Sequence, residues 1–75
     1  MTYLDVAYRY AASPTENVMR ALDDVREVYG ILRISFNEKE RAVRVEFDGS
    51  RLNEEDVAKL LRQAGLDARE KLALA

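Results

Sequence analysis

Hydrophobic and polar residues alternate twice in close succession over residues 30–47. Leu32, Ile34 and Phe36 alternate with Arg33 and Ser35, and Val43, Val45 and Phe47 alternate with Arg44 and Glu46. A period of two is the mark of strands with one buried face. The stretch between the runs, residues 37–41, is wholly polar, which predicts a hairpin. An isolated two-stranded hairpin is not stable in water, so the remaining chain must add strands and helices that cover the apolar face.

The flanking segments read the same way. Over residues 2–10, Leu4, Val6, Tyr8 and Tyr10 fall on one side and Tyr3, Asp5, Ala7 and Arg9 on the other, predicting a first strand. Ser13, Pro14, Thr15 and Glu16 then carry the signals of a helix start, with Ser13 as the cap, Pro14 at the first helical position and Glu16 closing a capping box. Val18, Met19, Leu22, Val25 and Val28 or Tyr29 recur at helical spacing, so the helix is expected to end near Tyr29, with Gly30 as its left-handed stop. Beyond the hairpin, residues 48–51 have turn chemistry. Asn53 is placed to cap a second helix, with Asp56 at the reciprocal position and Leu52 set to staple against Val57. Val57, Leu60, Leu61 and Ala64 form its stripe and Gly65 its end. Residues 66–74 alternate weakly and predict a fourth, edge strand.

Strand, helix, strand, strand, helix, strand is the split βαβ pattern. The expected fold is therefore α+β and ferredoxin-like, βαββαβ. Right-handed crossovers give a four-stranded antiparallel sheet in the order 4-1-3-2 with two helices packed on one face. The expected core is Leu4, Val6, Tyr8, Val18, Leu22, Val25, Leu32, Ile34, Phe36, Val43, Val45, Phe47, Val57, Leu60, Leu61 and Leu66, joined by Tyr29. The bare sheet face is expected to show Tyr3, Asp5, Ala7, Arg9, Ile31, Arg33, Ser35, Ala42, Arg44 and Glu46.

Composition narrows the chemistry more than the fold. The chain has 75 residues, which suits one domain over residues 1–75. There is no cysteine and no histidine, which removes disulfides, thiol nucleophiles, thiolate and imidazole ligands, and imidazole acid-base catalysis. With 48% hydrophobic and 35% charged residues the chain is expected to be globular, without a bilayer-spanning run. The first residues show no basic segment followed by an apolar one, so the expected compartment is the cytoplasm. A net charge of -2, with both signs interspersed, supplies no field for nucleic acid or an anionic membrane.

Four segments carry a family likeness: Ala21-Leu22, Gly30-Ile31, the run Val43-Arg44-Val45-Glu46-Phe47-Asp48, and Leu60-Leu61-Arg62-Gln63-Ala64-Gly65-Leu66. On these, over nearly its whole length, the chain resembles the heavy-metal-associated domains of copper chaperones, mercury-binding proteins and metal-pumping ATPases. The resemblance implies the ferredoxin-like fold and docking of a metal or partner at the loop after the first strand. The family's Gly-Met-x-Cys-x-x-Cys loop would fall on Tyr8, Arg9, Ala11 and Pro14, none of which matches. The segment from Leu22 to Gly30 also runs about one turn longer than the family's helix end. No ligand is carried over, because a soft ion needs soft donors.

Other candidate chemistry has a plainer reading beside it. Asp23, Asp24 and Glu27, and Glu54, Glu55 and Asp56, could attract a hard cation, but first-turn acids complement a helix dipole and Arg20 and Arg26 are within helical reach of the first group. Met19 could offer a thioether, yet its spacing with Leu22 marks it as core. Tyr3, Tyr8, Tyr10 and Tyr29 suggest base stacking, but strand 3 shows Ala42, Arg44 and Glu46 outward and no aromatic. An acylphosphatase-like site would use Arg9 and the free N-H groups of the first helix, without a glycine-rich cradle. The chain is thus expected to be a non-catalytic binding module with no cofactor and no metal, meeting a protein partner or a second copy through an edge strand or the open sheet face at Tyr3, Ala7, Ile31, Arg33, Ala42 and Arg44. A small-ligand regulatory module like the ACT domains is the alternative, followed by residual metal binding and hydrolysis.

Overall fold

The computed structural model describes residues 3–72, without the side chain of Arg69. The elements follow the order β1 (Tyr3–Tyr10), α1 (Glu16–Arg26), β2 (Ile31–Asn37), β3 (Ala42–Asp48), α2 (Glu54–Gln63) and β4 (Ala68–Leu72). Their four strands make one antiparallel sheet in the order β2-β3-β1-β4, the expected ferredoxin-like arrangement read from its other edge. The molecule is a slab of 33 × 28 × 16 Å between Cα extremes, the short dimension being one sheet plus one helix layer.

Both helices are amphipathic and bury one side. Leu22 and Val25 of α1, and Val57, Ala58 and Leu61 of α2, enter a core with Val6, Tyr8 and Tyr10 of β1 and Val43, Val45 and Phe47 of β3. Tyr10 meets Phe36 edge-on, with ring centroids 6.1 Å apart. Val18, Phe36 and Leu60 of the expected core are half-buried against this cluster.

Three expected core residues, Leu4, Leu32 and Tyr29, are not in it. Leu32 is 52% exposed because β2 carries a bulge: Ile31 stands opposite Phe47 and Arg33 opposite Glu46, so Leu32 is one residue too many for the ladder. The extra residue shifts the first turn of the alternation, and Ile31 goes into the core in place of Leu32. Leu4 is 43% exposed. It lies opposite Phe47 at the end of β1, beyond Ala7 to Tyr10, where the described part of β4 pairs.

The helix ends also differ from expectation in part. Thr15, not Ser13, caps α1: its hydroxyl accepts from the Val18 N-H at 3.3 Å. Pro14 therefore precedes the cap rather than opening the helix. The helix ends at Arg26, with Glu27 as its C-cap and a turn closed by the Ile31 N-H on the Val28 carbonyl at 3.0 Å. Shortened this way, α1 does not carry Tyr29 into the core, and that side chain is 73% exposed. Gly30, at φ +104°, takes the left-handed turn expected of it. The second helix has the full capping box, with the Asp56 N-H on Asn53 Oδ1 at 2.8 Å and the Asn53 N-H on Asp56 Oδ2 at 3.1 Å. The fourth strand is shorter than the expected 66–74; its last two expected residues lie outside the described ones.

Candidate functional site

The bare sheet face is a mesh of charges and not an apolar strip. Asp5 and Glu46 face each other in register on the two central strands, a like-charged pair that is unfavourable on its own. Arg44, one position along, donates to Asp5 Oδ2 at 2.6 Å, and Arg33 stands opposite Glu46 from the edge. That bond to Asp5 holds the Arg44 guanidinium protonated even more firmly than usual. Arg9 approaches Glu70 at 3.7 Å.

The expected surface residues therefore divide. Arg33 and Arg44 are exposed on this face and Tyr3 is 65% exposed at its end, whereas Ala42 is half-buried. Ala7 is buried between its register neighbours Arg44 and Leu72. Ile31 points the other way, into the core, for the reason given by the bulge. Phe47, the aromatic of β3, is buried on the core side, so β3 presents Arg44 and Glu46 rather than an aromatic on this face.

Apolar exposure is concentrated elsewhere. The large exposed hydrophobics among the described residues are Tyr3, Leu4, Tyr29 and Leu32. All four lie at the end of the sheet where β1 and β2 begin and β3 finishes, as the row Leu4, Phe47, Ile31 shows. A cleft of about 310 Å³ opens there, lined by residues 26–32 and Asp48. Arg51 stacks over the Tyr29 ring at 4.5 Å. Asp48 is buried and accepts from the Ser50 N-H at 3.0 Å and the Ser50 hydroxyl at 2.7 Å; these two bonds lower its pKa below the usual carboxylate range. The Leu4, Tyr29 and Leu32 exposures were missed in the sequence because each follows the spacing of a buried stripe.

The edge of β2 is only partly open. The Tyr10 N-H binds the Arg41 carbonyl and the Asp48 N-H binds the Gly30 carbonyl, which sets the hydrogen-bonding alternation across β1, β3 and β2. On that alternation Ile34 and Phe36 turn their backbone polar groups away from the sheet. The Ile34 carbonyl is taken by Arg26 Nη2 at 3.2 Å, while Arg26 Nη1 holds Asp23 at 2.8 Å.

Among the described residues, the carboxylate groups and the loop after β1 form no cluster of three or more potential metal ligands. Asp23 is held by Arg26, Asp56 serves the α2 cap, and Glu54 pairs with Lys71. Met19 packs half-buried against the core. Tyr8 is buried with its hydroxyl donating to the Glu54 carbonyl at 3.4 Å; burial, and then the Glu54 charge, raise its pKa. At the opposite end of the sheet from the apolar cluster, Arg9, Tyr10, Ala11, Arg41 and Glu70 line a second cleft of about 360 Å³. No helix among the described residues is long and apolar enough to cross a membrane.

Comparison with known proteins adds no relative: no family model, curated protein or solved structure matches the chain.

Proposed function

We propose that the chain is a non-catalytic interaction module, similar to heavy-metal-associated domains in plan but without their thiolate site, and that it binds a protein partner at the end of the sheet bearing Tyr3, Leu4, Tyr29 and Leu32. The observation that carries this reading is the gathering of those four exposed side chains at one end of a sheet whose broad face is charged. Scattered exposed apolar residues are ordinary, whereas their concentration at one end of a sheet, beside charged groups, favours a contact surface there. Arg33 follows Leu32 directly, is exposed, and has no ion-pair partner among the described residues. Arg51 lies over Tyr29. The partner chemistry that fits is an apolar side chain flanked by carboxylates, with aromatic and arginine groups as the anchors.

The test is affinity capture from the native cell extract with the wild-type chain and a Tyr29→Ser, Leu32→Ser variant of matched thermal stability. A partner that is retained by the first, lost by the second and released by salt supports the reading. Retention of the same proteins by both, or saturable NMR shifts at residues 9–19 on adding Cu(I) or Zn(II), would replace it with another surface or with metal handling.

A further inference from the structure

We infer that the cleft between Arg9 and Arg41 is a binding site for a small phosphate monoester, at the opposite end of the sheet from the proposed partner surface and independent of it. The first observation is Arg41 itself. It closes the turn between β2 and β3 at φ +53°, the sole non-glycine left-handed residue among those described. Hairpin turns ordinarily fill such a position with glycine or asparagine, because a Cβ there crowds the backbone. A left-handed arginine is thus a local cost, and such outliers gather where a side chain is required in one place.

The geometry shows the place. The Arg41 carbonyl accepts from the Tyr10 N-H at 2.9 Å, which ties the turn to the end of β1. The Arg41 side chain then crosses to the same strand end, where Nη1 donates to the Ala11 carbonyl at 3.1 Å. Among the described residues that single bond orients the guanidinium, its other nitrogens make no further hydrogen bond, and no carboxylate lies within ion-pairing distance of it. Arg9 brings a second guanidinium to the same cleft. Two arginines lining one cavity can offer planar forks that match the oxygens of a phosphate better than a single charge does.

Glu70 decides between classes of anion. It lines the cleft and stands 3.7 Å from Arg9, beyond hydrogen-bond distance, with both side chains more than half exposed. A pair of that kind is weak. A ligand must displace it, which a dianion reaching both guanidiniums does more readily than a carboxylate. The exposed Ala11 beside the cleft is where an organic group on the phosphate would rest.

The test uses the isotopically labelled full chain, titrated with phenyl phosphate, inorganic phosphate and benzoate at constant ionic strength near pH 7.5. The expected result is saturable shifts centred on residues 9–12, 41 and 70, with phenyl phosphate binding about ten times tighter than benzoate and tighter than inorganic phosphate. Arg41→Gly should abolish saturation while keeping a dispersed spectrum, since glycine accepts the positive φ. Glu70→Gln should tighten binding by about threefold or more, because the competing charge is gone. Linear, unsaturable shifts overturn the inference, as do equal affinities for phenyl phosphate and benzoate. Undiminished binding by a folded Arg41→Gly chain would do the same.

Discussion

Arg26, in the last turn of α1, donates a hydrogen bond across to the outward-facing carbonyl of Ile34 on the edge strand β2, at 3.2 Å. An edge strand with free backbone groups is a template for pairing with another chain, and here a helix side chain occupies one of them. Together with the bulge at Leu32, the contact interrupts the row of outward backbone groups along the edge.

Replacing Arg26 should therefore change association more than stability. Arg26→Ala is expected to cost about 1 kcal/mol, the net worth of one partly exposed hydrogen bond. It should also raise the sedimentation coefficient with concentration. Arg20→Ala, which removes an exposed pair with Glu16 on the same helix, is the control and should leave the chain as it was. Equal behaviour of the two variants in sedimentation velocity would sink the idea that Arg26 guards the edge.

The α1 cap can be located by substitution. Thr15→Ala should destabilise by about 1 kcal/mol, and Asn53→Ala by at least as much because a reciprocal box is lost. Ser13→Ala should stay within about 0.5 kcal/mol of the wild type. Urea midpoints at fixed slope measure all three.

Gly65 follows α2 at φ +98°, and a Cβ added to it would stand 3.1 Å from Val18 Cγ2. Backbone strain and a close helix contact act together, so Gly65→Ala should lose about 1 to 3 kcal/mol. A thermal midpoint equal to the wild type would show that the two helices separate there without cost.

The bulge in β2 gives adjacent residues opposite sensitivities. Ile31→Ala should cost about 2 kcal/mol or more, as a buried aliphatic does. Leu32→Ala should cost less than about 1 kcal/mol. Reversal of that order in chemical denaturation would mean that the regular alternation, not the bulge, describes the strand in solution.

Asp48 makes stability depend on acid. Its folded pKa lies below the ordinary aspartate value because Ser50 donates two hydrogen bonds to the charged form. The folded chain thus binds this proton less readily than the unfolded one. The contribution is complete above about pH 4 and is lost as pH falls through the depressed folded value. Ser50→Ala should be less stable than wild type at pH 7, with the gap narrowing below pH about 4. A gap independent of pH would assign the serine a role other than holding the carboxylate.

The sequence pattern carried the element order, the sheet topology, the α2 cap and most of the core, because these rest on periodicities repeated over several residues. Single-residue events escaped it. The insertion of Leu32 leaves the run Ile-Leu-Arg-Ile compatible with either face, and only pairing with Phe47 and Glu46 selects one. In Ser-Pro-Thr-Glu either hydroxyl could cap, and Thr15 takes the role. Tyr29 continues the helical stripe of α1 past the point where the backbone has already turned. The Arg9 and Arg41 cleft joins residues distant in the chain, and its one local sign was a polar turn that lacked a glycine where a left-handed residue was needed.

A slab 16 Å thick has a further consequence for how this chain can change. Side chains on its bare face meet water directly and are separated from the core by the thickness of the sheet, so Asp5, Arg33, Arg44 and Glu46 can be exchanged as a set without disturbing Val43, Val45 or Phe47 behind them. The sheet acts as a printed page whose backing is independent of its text. Descendants of this chain could acquire new partners by rewriting those charges while the helices, caps and core on the reverse stay as they are.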